Sequence, residues 1–250
     1  MRPSLRNLVE DAYDIFGGYR VRRSLSVCHC NSCMSEENEH LLLETPLREI
    51  PAGLLAEYTA SAHNWDDGPV AREMRYFLPR YLELIAEDDP PDTCGLDICL
   101  RRLGYSGWRA KWPERECALI DRFFDELMLQ SLERTDLVEW PVGWRLAFDI
   151  SDVLTLVVTA HGDLPRVLAT WDRAPDPFAA LHMAALREKV IRETNRTYFH
   201  SPYLADHPQA ADRIGAFLAR PELTQRIETA FFQLDDPRLQ KLVSDAIHLS

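Results

Sequence analysis

The sequence predicts an all-α fold, an irregular array of about a dozen short helices packed as antiparallel hairpins. Three observations predict it. Apolar residues recur near the 3.6-residue helical period from Leu5 to Ile247. Proline and glycine punctuate the junctions between those stripes. One segment alone, 153–160, has the β-branched content of a strand.

Taken in order, residues 2–16 place Leu5, Leu8, Val9, Ala12 and Phe16 on one face, and Gly17–Gly18 ends that helix. Ser35 caps a helix over 35–44, with Glu36 and Glu37 at its positive end. Further helices are predicted at 51–62, 70–87 and 96–103. Pro79 interrupts the second of these, which predicts a kink or two abutting helices, because proline removes a hydrogen bond and crowds the Arg75 carbonyl. In 114–132, Cys117, Ile120, Phe124, Leu127 and Ser131 form a stripe. Segment 153–160 reads as helix despite its composition: Ile150, Val153, Leu154, Val157 and Val158 share a face, Ser151 can cap, and Gly162 can terminate. Helices at 164–173, 177–195, 209–219, 221–234 and 239–247 complete the chain. Successive helices of this length pair as antiparallel hairpins. No repeat period is readable. The segment 139–148 is the best internal boundary. It divides an N-terminal helical region, 1–140, holding the cysteine cluster and an acidic segment, from a C-terminal helical region, 141–250, packed against it.

The net charge of −12 is unevenly spread. Residues 34–100 hold fifteen Asp or Glu against four Arg and no Lys, a net −11. That argues against nucleic acid or an anionic membrane as partner. It suits a basic protein, drawn in at long range; a solvated, solubilising face is the plainer alternative. No apolar run reaches membrane-spanning length, and the start lacks a signal-peptide pattern. Both place the chain in a cytoplasm, with its six cysteines reduced.

Three of those cysteines fall in six positions. Cys30 and Cys33 have the two-residue gap that lets both sulfurs reach one ion, with Cys28 as a third ligand and His29 or His40 as a fourth. The same Cys-x-x-Cys before a helix start could be a redox pair. Reduced thiols in a loop entering a helix near Ser35 are the expected state, with no cofactor; zinc is the alternative. Cys117, on an apolar stripe, is a small core residue. Glu37-x-x-His40 is half of a di-iron motif, and no second half exists.

The loop 63–69 sets Trp65 among His63, Asp66 and Asp67, an aromatic anchor ringed by charge that resembles a protein-binding hot spot. With Glu73, Glu87, Asp88 and Asp89 these form the predicted partner-binding set. Residues 103–116 interleave Tyr105, Trp108 and Trp112 with Arg109 and Lys111, a pattern that stacks bases or pins helix ends to a core; the second is expected. No nucleophile elbow, phosphate loop, dinucleotide fingerprint or zinc-protease motif occurs.

Cys30-x-x-Cys33, then Thr45 to Glu49 (TPLRE), then Phe77 to Arg80 (FLPR) resemble an uncharacterised family of helical bacterial proteins, over residues 28 to about 87. That resemblance implies a helical fold and no particular activity. In general style, an acidic helical chain without catalytic signatures is similar to immunity proteins that neutralise antibacterial toxins, including those of type VI secretion. The expected function is therefore non-enzymatic: neutralisation of a basic antibacterial toxin, such as a nuclease, through segment 34–100. A small metalloprotein or enzyme using Cys28, Cys30 and Cys33, and a structural adaptor, are the alternatives.

Overall fold

The computed structural model describes residues 1–62, 68–92, 95–141 and 143–247, and they are predominantly helical. The chain divides into two compact units. The first comprises Met1–Leu127 with Thr159–Asp163, the second Met128–Val158 with Leu164–Ser250.

In the first unit, α1 (Pro3–Phe16) buries the five apolar residues of its stripe. Its main partner is distant in sequence. After α2 (Glu36–Glu44) and α3 (Ala52–Ala60) comes α4 (Gly68–Ala86), which packs on α1 and buries Phe77, Leu78, Tyr81 and Leu82 among others, Phe77 and Tyr81 meeting Tyr58 and Thr59 of α3. Each such side chain stabilises by about 1.5–3 kcal/mol relative to exposure. Pro79 is buried within α4, which continues through it as one helix rather than two. The surrounding apolar contact outweighs the single hydrogen bond proline removes. Predicted helix 96–103 is instead a 3₁₀ turn, Leu96–Ile98, followed by α5 (Arg101–Tyr105). Then come α6 (Trp108–Lys111) and α7 (Glu114–Ser131). Trp108 is fully buried and donates from its indole to the Ala160 carbonyl at 2.7 Å, so this tryptophan does pin a helix into the core.

A buried polar network underlies the cysteine segment. Arg102 is 1% exposed, lies 4.1 Å from the centre of the Tyr58 ring, and donates to the Ser61 carbonyl. Tyr58 donates to Glu73 at 3.0 Å, and Glu73 also accepts from the Ser26 amide at 2.8 Å. A buried arginine, carboxylate and phenol are tolerable because each is hydrogen-bonded.

The second unit opens with an antiparallel hairpin, β1 (Leu137–Trp140) with β2 (Gly143–Leu146). The segment 139–148, expected as the internal boundary, is thus largely hairpin. Helices α8 (Ser151–Thr159), α9 (Leu164–Arg173) and α10 (Phe178–Leu186) follow. The ambiguous segment 153–160 is helix α8, as its periodicity predicts. The predicted helix 177–195 is corrected: it ends at Leu186, and β3 (Val190–Glu193) pairs with β4 (Arg196–Phe199). In that stretch Val190, Ile191, Thr197, Tyr198 and Phe199 favour the pleated surface of a strand. Then α11 (Pro208–Leu218) packs on β4, and α12 (Glu222–Phe231) and α13 (Pro237–Ile247) pack on α10 and on each other. Helix α10 is buried nearly all round.

His182, at the centre of α10, is 0% exposed; the Arg134 and Leu132 backbone faces its ring, but neither ring nitrogen reaches a partner within good hydrogen-bond geometry. Burial pushes its pKa down to about 4, against the pull of the Arg134 and Leu132 backbone and the Asp149 charge. The folded state therefore holds this ring neutral while the unfolded chain protonates it near pH 6.5. Stability is full above that pH and is lost as pH falls toward 4, by about 3 kcal/mol from this group. Urea unfolding at pH 7 and pH 4.5 should show a larger loss in the wild type than in His182→Leu. Equal losses would contradict the assignment.

Candidate thiolate metal site

The segment Leu25–Met34 has little secondary structure of its own, so its position depends on its pins. The Leu25 amide donates to buried Glu39, and Ser26 to Glu73. The Cys28 amide donates to the Ala62 carbonyl at 2.9 Å, and the Met34 amide to Ser61 Oγ at 2.8 Å. Ser35 then caps α2, accepting from the Asn38 amide at 3.1 Å, as its position predicts. Both ends are thus held, and between them Cys30 and Cys33 form a tight turn, closed by a 2.9 Å bond from the Cys33 amide to the Cys30 carbonyl.

This turn brings the sulfurs of Cys28, Cys30 and Cys33 within 4.8 Å of one another. A tetrahedral zinc with bonds of about 2.3 Å holds its sulfurs roughly 3.8 Å apart. The required contraction is at most about 1 Å, within reach of χ1 adjustment. Cys30 is exposed, and Cys28 and Cys33 are partly so. The Ser32 amide, then the Cys28 and Cys33 thiols, pull the Cys30 thiol below its usual range. The Cys30 amide pulls Cys28 down, but the neighbouring thiols outweigh it and push Cys28 up. The thiolate is the form that binds soft metals and attacks disulfides. Cys99 is fully buried and burial pushes its thiol well up; Cys117 is shifted the same way and sits half-buried. Neither joins the cluster.

The fourth ligand expected from sequence requires correction. His29 Nε2 lies 2.7 Å from Glu39, which holds the ring toward α2. His40 is exposed on α2 and lines a groove with Arg20, Arg22 and Arg23 instead. Successive helix positions are turned about 100° apart, so Glu39 faces the loop while His40, the next residue, is carried round to an exposed face. Among the described residues, only the three sulfurs converge there.

Of the predicted partner-binding residues, His63, Trp65, Asp66 and Asp67 lie outside the described residues. Glu73 is corrected: at 4% exposure it is an internal acceptor and no contact residue. Glu87, Asp88 and Asp89 are exposed together at the C-terminal end of α4, where Asp88 takes a positive φ of 66°.

Sequence reading missed one polar cavity in the second unit, about 330 Å³, whose lining includes Arg145, Asp149, Asp152, His182, Glu188 and Lys189. At its edge Ser151 donates from Oγ to Asp149 at 2.6 Å and accepts from Lys189 at 3.1 Å, while Lys189 also pairs with Asp149. Asp149 also accepts from the Ser151 amide at 3.0 Å, which caps the start of α8.

No family model, curated protein or solved structure matches the chain. No helix among the described residues is long and apolar enough to cross a membrane.

Proposed function

We propose that the chain is a non-enzymatic protein whose Cys28, Cys30 and Cys33 hold one zinc ion. The observation that carries this reading is the convergence of three sulfurs within 4.8 Å on a loop pinned at both ends. Zinc suits the all-sulfur donor set, and Glu36 and Glu37 nearby add long-range attraction for a cation. The ion would close a short loop and fix the segment from Leu25 to Ser35, which has no strand or helix to fix it. Elemental analysis of protein purified without chelators should find one zinc per chain. The ion should be lost in the Cys30→Ser, Cys33→Ser double variant. Metal-free wild-type protein that takes up no zinc on addition would refute the reading.

A second reading, protein binding through the acidic segment, is favoured by the exposed group Glu87, Asp88 and Asp89. In this reading the chain neutralises a basic antibacterial toxin in the manner of an immunity protein. Association with such a partner should slow as salt rises from 50 to 200 mM, since surface charges are screened. Reversing all three residues to Lys should slow it further. Salt-independent association, or no effect of the reversal, would count against it.

A further inference from the structure

A second charged feature of the first unit is opposite in sign. Between α1 and the cysteine loop runs Tyr19-Arg20-Val21-Arg22-Arg23, three arginines in four residues with no acid among them. Arg20, Val21, Arg22 and Arg23 line one side of an open groove of about 490 Å³. His40 and Leu43 of α2 and Tyr76 of α4 line the rest, and no carboxylate lines it. Arg20 is spoken for, donating to the Gly17 and Tyr19 carbonyls at 2.6 Å each, which braces the turn. Arg22 and Arg23 are exposed and make no ion pair with any described residue. Arg22 and Arg23 are consecutive in the chain, and both line a groove that no carboxylate lines, so the groove carries an uncompensated positive charge.

We propose that this groove binds a small phosphorylated ligand carrying two or more phosphate charges, with an apolar or aromatic body. Guanidinium forks match phosphate oxygens in pairs and give charge-assisted hydrogen bonds. Arg22, Arg23 and His40 line the same groove, which gives a ligand with two phosphate charges more than one basic group to pair with. Val21, Leu43 and the Tyr76 ring supply an apolar wall for the rest of the ligand. Tyr76 is itself braced, its ring 5.0 Å from that of Phe77 in an edge-on contact. The net negative charge of the chain selects further: it repels extended polyanions, so a compact ligand that places its charge only in the groove is preferred over a nucleic acid strand.

The test is calorimetric titration of the full chain with ADP and, separately, inorganic pyrophosphate at low salt. Saturable one-to-one binding of ADP is expected, weakening as salt rises. Arg22→Ala with Arg23→Ala should lower the affinity at least tenfold. Both side chains are exposed, so circular dichroism should show the fold unchanged. Arg22→Lys with Arg23→Lys keeps the charge but removes the forks, and should fall between the two. The proposal is overturned by any of three results: no saturable ADP binding at millimolar concentration, equal affinity in the double alanine variant, or binding of a single-stranded oligonucleotide where ADP and pyrophosphate fail.

Discussion

Gly215→Ala is expected to destabilise the second unit by about 3 kcal/mol or more. A Cβ at this position would stand 2.5 Å from Tyr198 Cα and 2.6 Å from its carbonyl carbon. Those are backbone atoms of β4, held in register with β3 through Ile191 opposite Tyr198, so they cannot swing aside as a side chain would. The helix preference of alanine over glycine, about 1 kcal/mol, works in the opposite direction and loses. Gly53→Ala is the matched control. Gly53 also lies within a helix, α3, but nothing approaches its added Cβ within 4 Å. There the propensity term stands alone and the variant should be more stable by about 0.5–1 kcal/mol. Denaturant unfolding of both variants reads the contrast directly. Similar effects of one sign would contradict the close approach of α11 to β4.

Zinc is expected to stabilise the chain measurably. A ligand that binds only the folded state at a free concentration one hundred times its dissociation constant adds about 2.7 kcal/mol. Thermal unfolding should therefore shift upward on zinc addition, and Cys30→Ser should abolish most of the shift. The thiolates must be unprotonated to bind, so the effect should diminish as pH falls.

Helices were legible where an apolar stripe and an end signal agreed. Leu5 to Phe16 with Gly17 following, and Ser35 before Glu36, are such cases. The composition of 153–160 pointed to a strand, yet the spacing of Val153, Leu154, Val157 and Val158 decided for helix. The hairpins escaped because their strands are four residues long and mostly exposed, which leaves little apolar alternation to detect. For β3, the preceding helix α10 is apolar on every side, so no face pattern marks where it stops.

The cysteine cluster was visible as spacing, but its pins were not. Glu39, Glu73 and Ser61 are fixed to that loop by hydrogen bonds across 14, 47 and 27 residues. No local pattern encodes such pairings. This is also why Glu73 was misread as a surface charge: charge counting along the chain does not separate a buried acceptor from an exposed acid. The arginines at 20, 22 and 23 went unweighed for a related reason, since a segmental sum over 34–100 hides a short run of opposite sign just before it.

The most direct test of the metal-site reading is a zinc titration of reduced, metal-free chain against a competing chelator, with reactive thiols counted at each step. The account predicts one zinc per chain, protection of three thiols together, and at least tenfold weaker binding in each of Cys28→Ser, Cys30→Ser and Cys33→Ser. No saturable binding, or binding indifferent to all three substitutions, would contradict it.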